Sequence, residues 1–144
     1  MSDAPSRLVD VRGPRFAAWV TSAVLAVVLL TGSAPLLAVQ AVVFAVGAVA
    51  GLRWAPYGIL FRLLVAPRLG PVRQREPEAP PRFAQGVGLL FAVVGSLGYL
   101  AGAPVVGAVA TGFALVAALL NAVTGFCLGC ELYLTVRRAL PART

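Results

Sequence analysis

The sequence predicts an all-α integral membrane protein: four transmembrane helices in two hairpins, with short amphipathic helices at the membrane interface. Three observations carry that reading. The 144 residues are 60% hydrophobic and 12% charged, against about a quarter charged in an ordinary soluble domain. Two long stretches, Phe16–Leu52 and Phe83–Cys130, contain no charged residue. All twelve basic residues are Arg, and they fall before, between and after those stretches. Disorder is excluded because it requires low hydrophobicity. His is absent, which removes the commonest general base and a common metal ligand.

Residues 1–14 are expected as a mobile arm, 15–138 as one membrane domain and 141–144 as a tail. Crossing roughly 30 Å of hydrocarbon takes about 20 apolar residues at 1.5 Å rise each. Each uncharged stretch suffices for two such helices and breaks near its middle, at Gly32-Ser33-Ala34-Pro35 and at Gly98 followed by Ala101-Gly102-Ala103-Pro104. Proline in a first helical turn gives up only an N–H that has no partner there. The spans are therefore expected at about 16–33, 36–52, 83–101 and 104–125. Continuous apolar runs such as Ala23–Leu30 lack the alternation of a membrane barrel, and open sheet edges cannot sit in lipid. A cleaved signal peptide is disfavoured because its apolar core runs on into a second apolar segment.

Four spans put all the Arg on one side: Arg7, Arg12 and Arg15 at the start, six between Arg53 and Arg82, and Arg137, Arg138 and Arg143 at the end. The positive-inside rule makes that side, with both termini, cytoplasmic. The net charge of +7 also invites a nucleic-acid reading. Arginines beside bilayer ends have anionic lipid headgroups as their nearer partner, so no nucleic acid is expected.

The connection 53–82 has structure of its own. Tyr57–Val65 is apolar with one Arg and too short to span, so it is expected along the interface. Trp54 and Tyr57 flank it as aromatic anchors. Pro67–Pro81, rich in Pro and alternating charge, reads as an extended, solvated linker.

A parallel internal repeat is suggested by Pro14-Arg15-Phe16-Ala17 and Pro81-Arg82-Phe83-Ala84, each followed by a span, a Pro-marked turn and a second span. On this register Gly58 corresponds to Gly125. Parallel repeats are related by an axis along the membrane normal. Gly47 with Gly51, Gly98 with Gly102 and Ala103 with Gly107 form small-residue faces for helix packing. Asn121 and Thr124, near the end of the fourth span, are expected to hydrogen-bond between helices or to backbone. Gln40, Gln85 and Thr111 are the other polar exceptions.

The chemical candidates are Cys127 and Cys130, spaced C-x-x-C. Counting about 20 residues from Pro104 places them at the cytoplasmic surface. Leu132, Tyr133, Val136 and Leu140 then recur near helical spacing, predicting an amphipathic helix over about 128–140. If Gly125 or Gly129 interrupts the backbone, the thiols lie at that helix's start, where the dipole favours thiolate. Such a pair exchanges disulfides through a mixed disulfide, or carries sulfane sulfur. Glu131 is a candidate proton relay. The alternative is that the cysteines only pack and the chain is a non-enzymatic membrane scaffold or subunit. Two Cys and no His fall short of the four ligands of a zinc site, so no metal or cofactor is expected.

The stretches Arg53–Gly58, Pro67–Pro71, Pro80–Gly86 and Asn121–Tyr133 resemble the bacterial membrane family called domain of unknown function 4395, over about residues 12–138. The resemblance implies a small four-span protein of the bacterial inner membrane. Some relatives are joined to, or encoded near, thioredoxin-like proteins, which implies a thiol partner. Thr124-Gly125-Phe126-Cys127 is also similar to a motif in membrane segments attached to rhodanese sulfurtransferases, which implies a rhodanese-like partner.

Overall fold

Glycine and proline decide where each helix stops. The structure is a computed structural model that describes residues 8–140. Helix α1 (Arg12–Thr31) ends on Gly32 in the left-handed conformation (φ 66°), whose N–H bonds the Val28 carbonyl. The Ser33 hydroxyl then accepts from the Leu36 N–H and caps α2 (Ala34–Ala45), with Pro35 in its first turn. Helix α2 continues as a π turn over Val46–Ala50 and stops at Gly51 (φ 107°). A 3-10 turn (Leu52–Trp54) leads into α3 (Pro56–Leu60), prolonged by a π turn over Phe61–Val65. Helices α4 (Ala79–Leu100) and α5 (Pro104–Thr124) form the second hairpin. Helix α5 ends on Gly125 (φ 80°), and α6 (Leu128–Ala139) follows.

Three of these helices, α1, α4 and α5, are long and apolar enough to cross a membrane; the apolar helix Ala34–Ala50 is shorter. The second expected span, at about 36–52, corresponds to that helix. At its end Arg82 donates from Nε and Nη2 to the Ala48 carbonyl and from Nη2 to that of Val49. Glu78, buried beneath, accepts from the Leu52 N–H at 3.0 Å and lies 3.6 Å from the Arg82 guanidinium.

The outer surfaces of the helices are apolar: Leu30, Val49, Leu100, Val105 and Phe113 are exposed. Several buried side chains are polar: Thr21, Ser22, Gln40, Ser96 and Thr111. That distribution suits a lipid solvent, although the Ser96 hydroxyl and the Gln40 Nε2 find no partner among the described residues. Ser22 and Thr111 donate to carbonyls one turn back, and Gln40 accepts from the Tyr57 hydroxyl at 2.7 Å. Leu25, Val28, Leu37, Phe44, Ala92 and Ala114 form the apolar core. Glycines set the closest crossings. A Cβ on Gly98 would lie 2.7 Å from the Gly107 backbone nitrogen, and one on Gly47 would lie 2.9 Å from the Gln85 side chain.

The two halves make matching contacts. Helix α1 packs on α5, and α4 packs on α2. Arg15 donates to the Ala122 and Val123 carbonyls at the end of α5, as Arg82 does to Ala48 and Val49. Phe16 meets Phe61 at 5.7 Å between ring centroids, and Phe83 meets Tyr133 at 5.6 Å. By these contacts the partner of Gly125 is Gly51, the glycine that ends the equivalent helix with positive φ, and not Gly58.

The segment expected as a mobile arm is partly structured. Leu8–Asp10 (β1) pairs antiparallel with Arg75–Pro77 (β2), which lies within the segment expected as a solvated linker. Arg12 fastens the join: its guanidinium bonds the Asp10 carboxylate and the Gly70 carbonyl. The Arg12 hydrogen bond holds the Asp10 carboxyl below its ordinary range. Residues 1–7 of the expected arm, and the tail 141–144, lie outside the described residues.

Arg15→Ala and Arg82→Ala will each leave helix-end carbonyls unpaired and destabilise the bundle by about 1–2 kcal/mol, read as a lowered melting temperature in detergent. The double variant will lose close to the sum, because the two groups cap different helices. Gly129→Val will force α6 off α4, since a Cβ there falls 2.5 Å from that of Ala84. The expected cost is about 1–3 kcal/mol, with faster proteolysis between Gly125 and Leu128.

Candidate functional site

The turn between α5 and α6 is built from local bonds. The Gly125 N–H closes α5 on the Asn121 carbonyl at 2.8 Å, and the Thr124 hydroxyl donates to the Leu120 carbonyl while accepting from the Phe126 N–H. The chain then extends for one residue into Cys127, the N-cap of α6. The Cys127 sulfur accepts from the Cys130 N–H at 3.1 Å, in the manner of a capping hydroxyl. The two cysteines are joined as a disulfide, with Cα atoms 5.1 Å apart. Both are half-buried.

Helix α6 is braced on the start of α4. Gly129 crosses Ala84, and Tyr133 stacks on Phe83 while its hydroxyl accepts from Arg137 at 3.0 Å. The N-terminus of α6 therefore stands at a defined position beside α4 and the end of α5. Glu131 lies in the first turn of α6 with its N–H bonded to the Cys127 carbonyl. Its side chain is exposed and, among the described residues, bonds neither cysteine.

Both cysteines and Glu131 line one end of a cavity of about 780 Å³ that runs between α1, α4 and α5. Residues that the motif did not single out complete it. Arg15 lines the wall and holds the end of α5. Glu76, in β2, lines the mouth, where burial pushes its carboxyl above the ordinary range. Gln85 and Asn121 line the same space, the Gln85 side chain lying against Gly47 at its edge. The Thr124 hydroxyl makes the expected bond to backbone. The Pro-Arg-Phe-Ala repetition marks Arg15 in the sequence; Glu76 carries no such mark. Among the described residues no three His, Cys, Asp or Glu gather as metal ligands.

An N-capping sulfur at a helix start can stabilise a thiolate, and the residue three positions on can resolve a mixed disulfide. Here that sulfur and the residue three positions on stand at one end of the cavity. No curated protein and no solved structure matches the chain. The model of the family described as Domain of unknown function (DUF4395) matches residues 9–138, and the chain belongs to that family.

Proposed function

We propose that the protein is a four-span thiol–disulfide protein of the bacterial inner membrane, in which Cys127 and Cys130 cycle between dithiol and disulfide. The observation that carries this reading is the disulfide closed across the first turn of α6, with Cys127 as the helix cap. A dithiol partner of thioredoxin-like type supplies the electrons. Its thiolate attacks one sulfur of the pair, a mixed disulfide forms, and the partner's second thiol displaces it. Two thiols are restored here and one disulfide is made there. Cys127 is the nucleophile of the reverse step, because its sulfur sits at the positive end of α6.

The four-span reading is supported by the cross-bonded helix ends. Arg15, at the start of α1, reaches the end of α5, and Arg82, at the start of α4, reaches the end of α2. Starts and ends that share one face require each hairpin to go out and return. The helix Ala34–Ala50 has 17 residues, at the lower limit of about 17–25 for a span. With this topology the Arg-rich face, both termini and the cysteine pair are cytoplasmic, against anionic headgroups. Disulfides on that side of a membrane are characteristically transient and catalytic.

In inverted membrane vesicles, thioredoxin with its reductase will expose two thiols per chain to maleimide, and an oxidant will remove them. In intact cells an impermeant maleimide will label neither cysteine. Cys127→Ser and Cys130→Ser will each leave one thiol that can no longer close an intramolecular disulfide, so thioredoxin will expose no second thiol. Cysteines that thioredoxin leaves unchanged in folded protein would sink the redox reading and favour a scaffold whose cysteines only pack. Release of sulfane sulfur from the purified pair would point instead to a rhodanese-like partner.

A further inference from the structure

We infer that the cavity beneath the disulfide is a binding site for a lipid-soluble quinone, which takes the electrons of the Cys127–Cys130 dithiol. The inference rests on the redox reading of that pair and adds its electron acceptor.

The cavity joins two environments. One end is the turn that carries the cysteines and Glu131; the other is walled by Phe91 of α4 and Phe113 of α5, whose rings meet at 6.1 Å. Phe91 lies twelve residues into α4, about 18 Å along the helix axis at 1.5 Å per residue. The space therefore runs from the surface bearing the redox pair to near the middle of the bundle. Its walls there are small, with Gly88, Ala114, Ala117 and Ala118. A volume of about 780 Å³ lies within the roughly 300–1,000 Å³ of small-molecule sites.

Around this space the second half differs from the first. In the first half, Gln40 and Tyr57 fill the bundle with a hydrogen-bonded pair, Gln40 being fully buried. Gln40 lies eleven residues before Gly51, and the residue eleven before Gly125 is Ala114. Tyr57 lies two residues after the α3 cap Ala55, and the residue two after the α6 cap Cys127 is Gly129. The second half has Ala and Gly at these positions: Ala114 lines the cavity, and Gly129 lets α6 cross closely over Ala84 at its edge.

Its chemistry is graded. The amides of Gln85 and Asn121 line the half nearer the cysteines, while the inner half is aromatic and aliphatic. A ligand that matches has a flat, hydrogen-bond-accepting head and an apolar tail, and reaches the site through lipid. A phospholipid tail fits the inner half but gives the amides no acceptor and the disulfide no reaction. A quinone provides both. Cys127 and Cys130 each lose their S–H bond, one S–S bond forms, and two electrons and two protons pass to the two quinone carbonyl oxygens, leaving a hydroquinone. Dithiol from the thioredoxin-like partner then reduces the disulfide again.

The test uses the full chain in detergent, reduced with dithiothreitol, desalted and kept anaerobic. The probe is decylubiquinone, whose fully substituted ring cannot add thiols. One quinone is expected to be reduced for every two thiols lost, with no reduction by Cys127→Ser. Ala118→Phe, which fills the cavity, is expected to slow the reaction about tenfold in protein that remains monodisperse. Gln85→Ala, a smaller change, is expected to raise KM for the quinone several-fold while kcat is kept, and is read where Ala118→Phe does not fold. Equal rates in wild type and both variants overturn the site, because they mean collision in the micelle. Reduced protein that exchanges with thioredoxin but ignores the quinone overturns the acceptor and leaves the thiol role standing. Failure to exchange with thioredoxin overturns both.

Discussion

Helix ends dominate this structure, because a chain this apolar has few other places to be specific. The last carbonyls of an α-helix have no partner within it, and in or near lipid they cannot rely on water. Two arginines meet that demand. Arg15 bonds Ala122 and Val123, and Arg82 bonds Ala48 and Val49. A guanidinium offers several donors in a fixed fork and carries its charge to the negative end of the helix dipole. Each contact also ties the first helix of one half to the second helix of the other. The caps thereby fix which helices are neighbours, and the packing of α1 on α5 and α4 on α2 follows.

Once those ends are pinned, the segments beyond them are placed as well. Gly51 and Gly125 turn the chain at positive φ, and each turn leads to a short helix that lies back over its own half. Phe61 covers Phe16, and Tyr133 covers Phe83. The N-caps of these helices are Ala55 and Cys127. Position for position, the Cys127 sulfur stands where the other half has the Ala55 methyl group, on a scaffold that the arginine caps brace.

Much of the fold is legible in the sequence, for identifiable reasons. The hairpin turns at Gly32–Pro35 and Ala101–Pro104 are marked by residues with restricted or special backbone freedom. The candidate pair stands out because the chain has two cysteines and no histidine. The helix starts are less legible. Arg12, Arg15 and Arg82 look like charges left outside a span, yet they lie within α1 and α4, and Arg15 and Arg82 reach across to cap neighbouring helices. The short β1–β2 pair has three residues on each side, too few to display alternation. The register of the two halves is misread at Gly58. The helix before Gly125 is longer than the one before Gly51, and the turn after it is shorter, so one offset cannot align both. The cavity is illegible because its lining is gathered from segments far apart in the chain, from Val11 to Leu134.

The distribution of charge limits where chemistry can occur. No ionisable side chain interrupts Phe16–Leu52 or Phe83–Leu100 apart from Tyr99, so the interior of the bundle has no carboxylate or amine to receive or release a proton. Disulfide chemistry transfers protons with its electrons, so it has to happen where acids and water are at hand. Cys127 and Cys130 lie at such an end, with Glu131 in the same helical turn and Glu76 at the rim. For the proposed reaction with lipid-borne material the remaining problem is distance, since the pair stands beyond the end of α5 and not along the apolar helices. An internal space that opens at the pair and extends along α4 toward Phe91 shortens that distance without burying a charge. Where polar and apolar reactants have to meet, the boundary end of a small-residue cavity is the place this fold allows.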